Sequence, residues 1–318
     1  MSDHPKSNYE RPMKQGSAMG FYQRQHTLHR SISCIGIGLH TGIRVRMQIK
    51  AAQENTGIYF QRTDLTSTKI PALWSNVSDS NLRTVLANNE GHSVATVEHL
   101  MAALHSYEID NAIIEVNGPE LPCMDGCSEI FVQLLEQAEI VTQNAPRKAI
   151  RILKPVQVTE QGNSAALFPL EDDMRSIFSF EIDFPNTVIT HQWREICLSK
   201  KTFKEELSRA RTFGFLKDVL MLSKKGLIRG GSLTNAVVID DEKVLNPDGL
   251  RFEDEFVRHK LLDSIGDMYL AGGPILGSFI GKRSGHTLHH KLLCALFADQ
   301  EAWCWETLPL VEKMCTVA

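Results

Sequence analysis

The sequence predicts an α+β fold built from two similar halves. Three observations carry this. The chain has 318 residues, more than one hydrophobic core usually serves. Strand-like alternation and helix-like periodicity both occur, and in each half they run as strands, then helix, strand and helix. Between the two runs lies Gln143-Asn144-Ala145-Pro146-Arg147, a polar, proline-bearing stretch that reads as a linker. The repeat is visible in the order of elements and not in identical residues.

Order is expected to begin near Phe21. Strand text runs from Ser31 through Ile35 into Gly36-Ile37-Gly38-Leu39-His40-Thr41-Gly42, then resumes at 44–49, where Val45, Met47 and Ile49 alternate with polar residues. A helix follows at 95–106, because Val97, Leu100, Met101 and Leu104 recur on one face. Ala112-Ile113-Ile114-Glu115-Val116 reads as a buried strand, and 129–138 as a second helix. After the linker, strands are expected at 149–159, 165–170 and 176–182, and helices at 203–209 and 252–270. Gly272-Gly273-Pro274 stops the long helix. A strand at 275–280 and a helix at 288–296 close the pattern. The domains implied are 21–143 and 148–318, preceded by a disordered tail at 1–20.

Bulk properties exclude several function classes. Lys and Arg total 34 against 38 Asp and Glu, a net charge of −4, and no basic block stands out. Nucleic acid is therefore not an expected partner. The seven cysteines are scattered, with no C-x-x-C, which argues against a disulfide framework or a cysteine-rich zinc site and for a reducing compartment. The first twenty residues lack the apolar stretch of a signal peptide, and no apolar run reaches the ~20 residues of a membrane span. The cytoplasm is the expected location.

Four segments can carry chemistry. In Arg258-His259-Lys260-Leu261-Leu262-Asp263-Ser264-Ile265-Gly266-Asp267, His259, Asp263 and Asp267 share one helix stripe, away from the core stripe of Val257, Leu261, Ile265 and Met268. A His and a carboxylate four apart can ligate one zinc ion. A solvated charged face explains the same spacing, and spacing alone favours it. In Glu98-His99, His99 can supply a third ligand and Glu98 a proton acceptor; two exposed polar residues are the plain alternative, and there is no H-E-x-x-H. In Ser284-Gly285-His286 the histidine reads as a loop residue, either a cation for developing negative charge or an ordinary surface group, and His289 and His290 read as surface residues. In Ala210-Arg211-Thr212-Phe213-Gly214-Phe215 the Thr212 hydroxyl can donate to an oxyanion, or simply end a helix.

Taken in order and spacing, these segments resemble one family. They join Ile37-Gly38-Leu39-His40-Thr41-Gly42, Arg62-Thr63-Asp64-Leu65, Thr96-Val97-Glu98-His99-Leu100, Ile109-Asp110-Asn111, Met124-Asp125-Gly126, Gly249-Leu250-Arg251-Phe252-Glu253-Asp254-Glu255 and Ser284-Gly285-His286. From about Gln25 onward the chain is similar to the UDP-3-O-acyl-N-acetylglucosamine deacetylases, zinc amidases of lipid A biosynthesis. The resemblance implies two domains, each a β-sheet packed on helices, with the helices sandwiched between the sheets and a small insert in each domain. It implies a zinc ion on His99, His259 and Asp263, Glu98 as general base, and a protonated His286 held by Asp267. Thr212 would donate to the tetrahedral intermediate, and Lys260, Phe213 and Phe215 would contact substrate. An insert at about 214–247 would receive the acyl chain on residues such as Val219, Leu220, Met221, Leu222, Leu227 and Ile228. A monomer acting on UDP-3-O-acyl-N-acetylglucosamine is implied. Two departures stand out. Phe168 occupies a position where relatives often carry a lysine near the nucleotide, and Arg283 replaces a lysine before Ser-Gly-His.

Overall fold

Two sheets with the same internal strand order frame the molecule. The computed structural model describes residues 22–66, 68–171, 174–185, 187–240 and 242–310; the tail expected at 1–20 lies outside the described residues. The first half runs β1 (Arg24–Leu28), β2 (Ile32–Ile37), β3 (Arg44–Ala51), β4 (Ile58–Arg62), β5 (Thr68–Pro71), β6 (Val77–Asp79), β7 (Val85–Ala87), β8 (Ser93–Ala95), α1 (Glu98–Ser106), β9 (Ala112–Val116), α2 (Glu129–Ala138) and β10 (Ile140–Pro146). The second runs β11 (Lys148–Ile152), β12 (Val156–Glu160), β13 (Asn163–Phe168), β14 (Ser176–Phe184), β15 (Thr190–Cys197), α3 (Lys200–Thr202), β16 (Phe213–Phe215), α4 (Leu216–Lys224), β17 (Val237–Asp240), β18 (Lys243–Val244), α5 (Glu255–Tyr269), β19 (Ile275–Lys282), α6 (His286–Ala298) and β20 (Trp303–Thr307).

The first sheet has the order β2-β3-β9-β4-β5, in which β9 is antiparallel to β3 and parallel to β4. In the second, β19 is antiparallel to β13 and parallel to β14, which pairs in turn with β15. The repeat expected from element order is therefore a repeat of topology, and α1 and α5 occupy equivalent places in it. So do the two inserts: β6-β7-β8 precedes α1, and β16-α4-β17-β18 precedes α5. The fold class is α+β, as the sequence predicts. Among the described residues no helix is long and apolar enough to cross a membrane.

The alternation in β3 works as expected, with Val45, Met47 and Ile49 fully buried. The helices do not follow their stripes. Every residue of α1 is buried, and in α5 only Arg258 and Lys260 escape full burial. One apolar core runs continuously through both halves across these two helices. Gly266 permits their close approach: a Cβ there would lie 2.0 Å from the Glu98 carbonyl oxygen. The glycine thus lets the start of α1 cross the middle of α5, where Asp263 and Asp267 stand.

Several boundaries differ from the expectations. Residues 93–95 are strand, and Thr96 takes a left-handed φ of 60° before α1 begins at Glu98, so the helix starts three residues late. The supposed linker at 143–147 is mostly β10, whose ladder partner is β1, and Arg147 is buried between Glu108 and Asp110. A proline is tolerated there because it closes a two-stranded ribbon. The helix expected at 203–209 is instead α3 with a wide turn at Phe203–Leu207, opened by a capping box between Ser199 and Thr202. The polar edge strand β15 carries little apolar alternation and was not anticipated.

α5 is tied at its first turn to the segment that precedes β16. Glu255, fully buried, accepts from Arg211 Nε at 2.8 Å and Nη2 at 3.1 Å, and from the backbone N–H groups of Arg211 and Arg251. Burial opposes the charge on Glu255, but these donors hold its carboxyl below the usual range. Glu255→Ala would leave a buried guanidinium without its counter-charge. The expected loss is about 3–5 kcal/mol in chemical denaturation; a loss under about 1 kcal/mol would show the pair to be dispensable.

Candidate active site

The α1–α5 crossing places residues 160 apart in sequence against one another. Three ligand-type atoms converge there. His99 Nε2 and His259 Nε2 lie 3.4 Å and 3.3 Å from Asp263 Oδ1, all three residues nearly inaccessible. Asp263 Oδ1 has no hydrogen-bond partner, unusual for a buried carboxylate oxygen. His259 Nδ1 meets the Ala210 carbonyl at 3.0 Å, which fixes its proton on Nδ1 and turns a bare Nε2 toward Asp263. Burial holds the His259 imidazole down at about 4, so it is neutral, as a ligand must be. The spacings match the edge of a tetrahedron of ligands ~2.0–2.1 Å from a common centre, about 3.3–3.4 Å. The donor set, the orphaned oxygen and the spacing fit a zinc ion.

A second cluster, Asp267, His286 and His289, has different chemistry. Both imidazole Nδ1 atoms lie 2.7 Å from Asp267 Oδ2, and the Thr84 hydroxyl donates to Oδ1 at 2.7 Å. Both Asp267 oxygens and both Nδ1 atoms are engaged in hydrogen bonds, an arrangement suited to holding a proton on His286. Burial disfavours the charged imidazolium of His286, but Asp267, with Glu98 and Asp263 beyond it, outweighs burial and lifts it to about 9. A cation is therefore present at neutral pH. Asp267 is in turn held well below the usual carboxylate range by His286 and His289 against the effect of burial.

Between the two clusters stands Glu98. Its Oε1 is 3.9 Å from His286 Nε2, and its Oε2 accepts the Thr84 backbone N–H at 3.2 Å. Burial lifts its carboxyl above the ordinary range, partly countered by His286 and His99. Lys260 Nζ donates to Asp263 Oδ2 at 2.8 Å, and that carboxylate keeps the amine charged although burial opposes it. A cavity of about 450 Å³ opens at these groups, and Thr212, Phe213, His40, Arg83 and Thr96 also line it.

The structure thus brings together Glu98, His99, Thr212, Phe213, His259, Lys260, Asp263 and His286 around one cavity, with Asp267 behind His286. Phe215 does not line it; its ring packs 5.6 Å from that of Phe184. The solvated-face alternative for α5 fails because α1 covers that stripe. His286 is no loop residue but the first residue of α6. His289, read as a surface residue, is fully buried and bridges Asp267 to Ser284, because its stripe of α6 turns inward. His290 is half-buried against the Trp74 carbonyl. Phe168 ends β13 opposite Ser278 and is not among the residues that line the cavity. Thr84 went unnoticed in the sequence. Its one signal is a threonine at the start of a short strand, which marks nothing by itself.

Comparison with known proteins gives a consistent result. A family model described as UDP-3-O-acyl N-acetylglycosamine deacetylase matches residues 25–298. A protein of Vibrio vulnificus strain YJ016 named UDP-3-O-acyl-N-acetylglucosamine deacetylase is 48% identical over 285 residues, covering 89% of this chain and 93% of that one. A Haemophilus influenzae strain PittEE protein of the same name is 48% identical over 281 residues, covering 88% and 92%.

Proposed function

Because the chain belongs to the family of UDP-3-O-acyl N-acetylglycosamine deacetylases, we infer that it removes the N-acetyl group of UDP-3-O-acyl-N-acetylglucosamine, releasing acetate and the free amine in lipid A biosynthesis. The observation that carries the zinc-dependent form of this reading is the orphaned Asp263 Oδ1 facing two imidazole Nε2 atoms. Zinc held by His99, His259 and Asp263 would supply Lewis-acid polarisation of the acetyl carbonyl and a lowered water pKa.

The remaining work falls to side chains. Glu98, kept basic by burial, takes the proton of the attacking water on Oε1. His286 Nε2, charged because Asp267 holds Nδ1, faces the same space from 3.9 Å away; it stabilises the oxyanion and then gives its proton to the leaving amine. The Thr212 hydroxyl donates to the tetrahedral oxygen, and Lys260 balances Asp263 and faces substrate. Phe213 and the half-buried apolar residues of the insert, Val219 and Leu222 among them, offer a path for the acyl chain. The reading includes a cytoplasmic, monomeric enzyme.

The test is acetate release from the acylated UDP-sugar, with the metal content of the same preparation. About one zinc per chain with acetate release supports the reading. Equal activity on UDP-N-acetylglucosamine without the 3-O-acyl group would shift it to another acetylated sugar. Full zinc with no release at any acyl length would make the chain a non-catalytic binder. Thr84 adds a prediction: Thr84→Val should cost ~1–3 kcal/mol of stability by stranding Asp267 Oδ1, and should lower kcat, whereas Thr84→Ser restores both. Equal kcat in the two variants would remove Thr84 from the positioning of His286.

A further inference from the structure

Two buried nitrogens in the cavity lining have no hydrogen-bond partner among the described residues. His40 is 6% exposed and its Nδ1 has no hydrogen-bond partner; Arg83 Nε is buried and equally unpartnered. Both residues line the cavity. The other cations there are engaged: Lys260 with Asp263, His286 with Asp267, and Arg283 with the Gly162 carbonyl. No carboxylate forms an ion pair with Arg83 among the described residues. Leaving a buried polar nitrogen unsatisfied is costly, and two of them lining one cavity indicate a hydrogen-bonding partner brought by a ligand.

The backbone around both residues is held in place. Glu120, fully buried, accepts the backbone N–H of His40 at 2.9 Å and, through its other oxygen, the N–H and hydroxyl of Thr41 at 2.8 and 2.7 Å. Arg83 sits between Leu82, which has a left-handed φ of 70°, and Thr84, which is bound to Glu98 and Asp267. A non-glycine residue in that region is strained and persists where surroundings demand it. Burial holds the His40 imidazole below the ordinary range and the nearby charge of Arg83 adds to this, so the pair presents a cation beside a neutral ring.

We propose that Arg83 and His40 form an oxyanion-binding subsite in the wall of the catalytic cavity. A guanidinium and a ring nitrogen suit a small, planar or tetrahedral oxyanion. Resting on the functional reading above, two groups have that chemistry: a phosphate of the substrate's diphosphate, and the carboxylate of released acetate.

Two titrations of the full-length protein decide the matter, one with UDP and one with sodium acetate. They compare the wild type with Arg83→Ala and Arg83→Lys, with folding checked by circular dichroism. Arg83→Ala should weaken one of the two anions by roughly tenfold or more, and Arg83→Lys by less. Loss of UDP affinity identifies the diphosphate; loss of acetate affinity alone identifies the product. If neither affinity changes by more than about twofold, or if the folded wild type binds neither anion, the subsite does not exist. Failure of the functional reading shows separately, as no acetate release by the wild type.

Discussion

Glu98→Gln is expected to reduce turnover by about 10²- to 10⁴-fold while leaving zinc content and fold intact. The substitution is isosteric, and the amide oxygen can still accept the Thr84 N–H that Glu98 Oε2 accepts. It removes the ability to take a proton at Oε1, 3.9 Å from His286 Nε2. Because Glu98 is not one of the three converging ligand atoms, metal analysis should not distinguish the variant from the wild type. Near-normal acetate release by a zinc-replete Glu98→Gln protein would show that another group is the base. A variant that lost its metal as well would mean that Glu98 belongs to the ligand set.

His259→Ala should have the other large effect, and by a different route. His259 supplies one of three donors, with its proton held on Nδ1 by the Ala210 carbonyl. Removing it leaves His99 and Asp263, too few for a catalytic zinc site. Metal content should collapse, and turnover should fall by roughly 10³-fold or more, since the metal contributes several kcal/mol of charge stabilisation. A readout independent of activity separates this from misfolding. Zinc added to metal-stripped wild type should raise Tm by mass action, because it binds the folded chain. The folded variant should show no such rise. Retained zinc in His259→Ala would remove this residue from the metal site.

How much of this was legible beforehand divides along physical lines. The strands that alternate, β3 above all, were legible because a period of two is local. So was the stop of α5 at Gly272-Gly273-Pro274. The strand role of Gln143–Pro146 was not, because a polar, proline-bearing segment becomes a ladder only when β1 lies beside it. For the site, residue types and order pointed to the family and so to Glu98, His99, His259, Asp263 and His286. Spacing alone left them beneath a solvated-face reading. Thr84 and His289 carried no motif, and only their contacts with Asp267 reveal them.

By itself, then, the sequence determined the α+β class, the repeated order of elements and the chemical types available for a zinc-dependent hydrolysis. The tertiary structure decided which of them act together. Gly266 lets α1 and α5 cross at backbone contact, and this crossing buries His259, Asp263 and Asp267 against Glu98 and His99. Burial removes the water that would otherwise screen these charges. In that setting Asp267 keeps His286 charged, and Asp263 is left with an oxygen that no donor among the described residues satisfies. Neither result follows from residue spacing, because both depend on what lies across the helix interface.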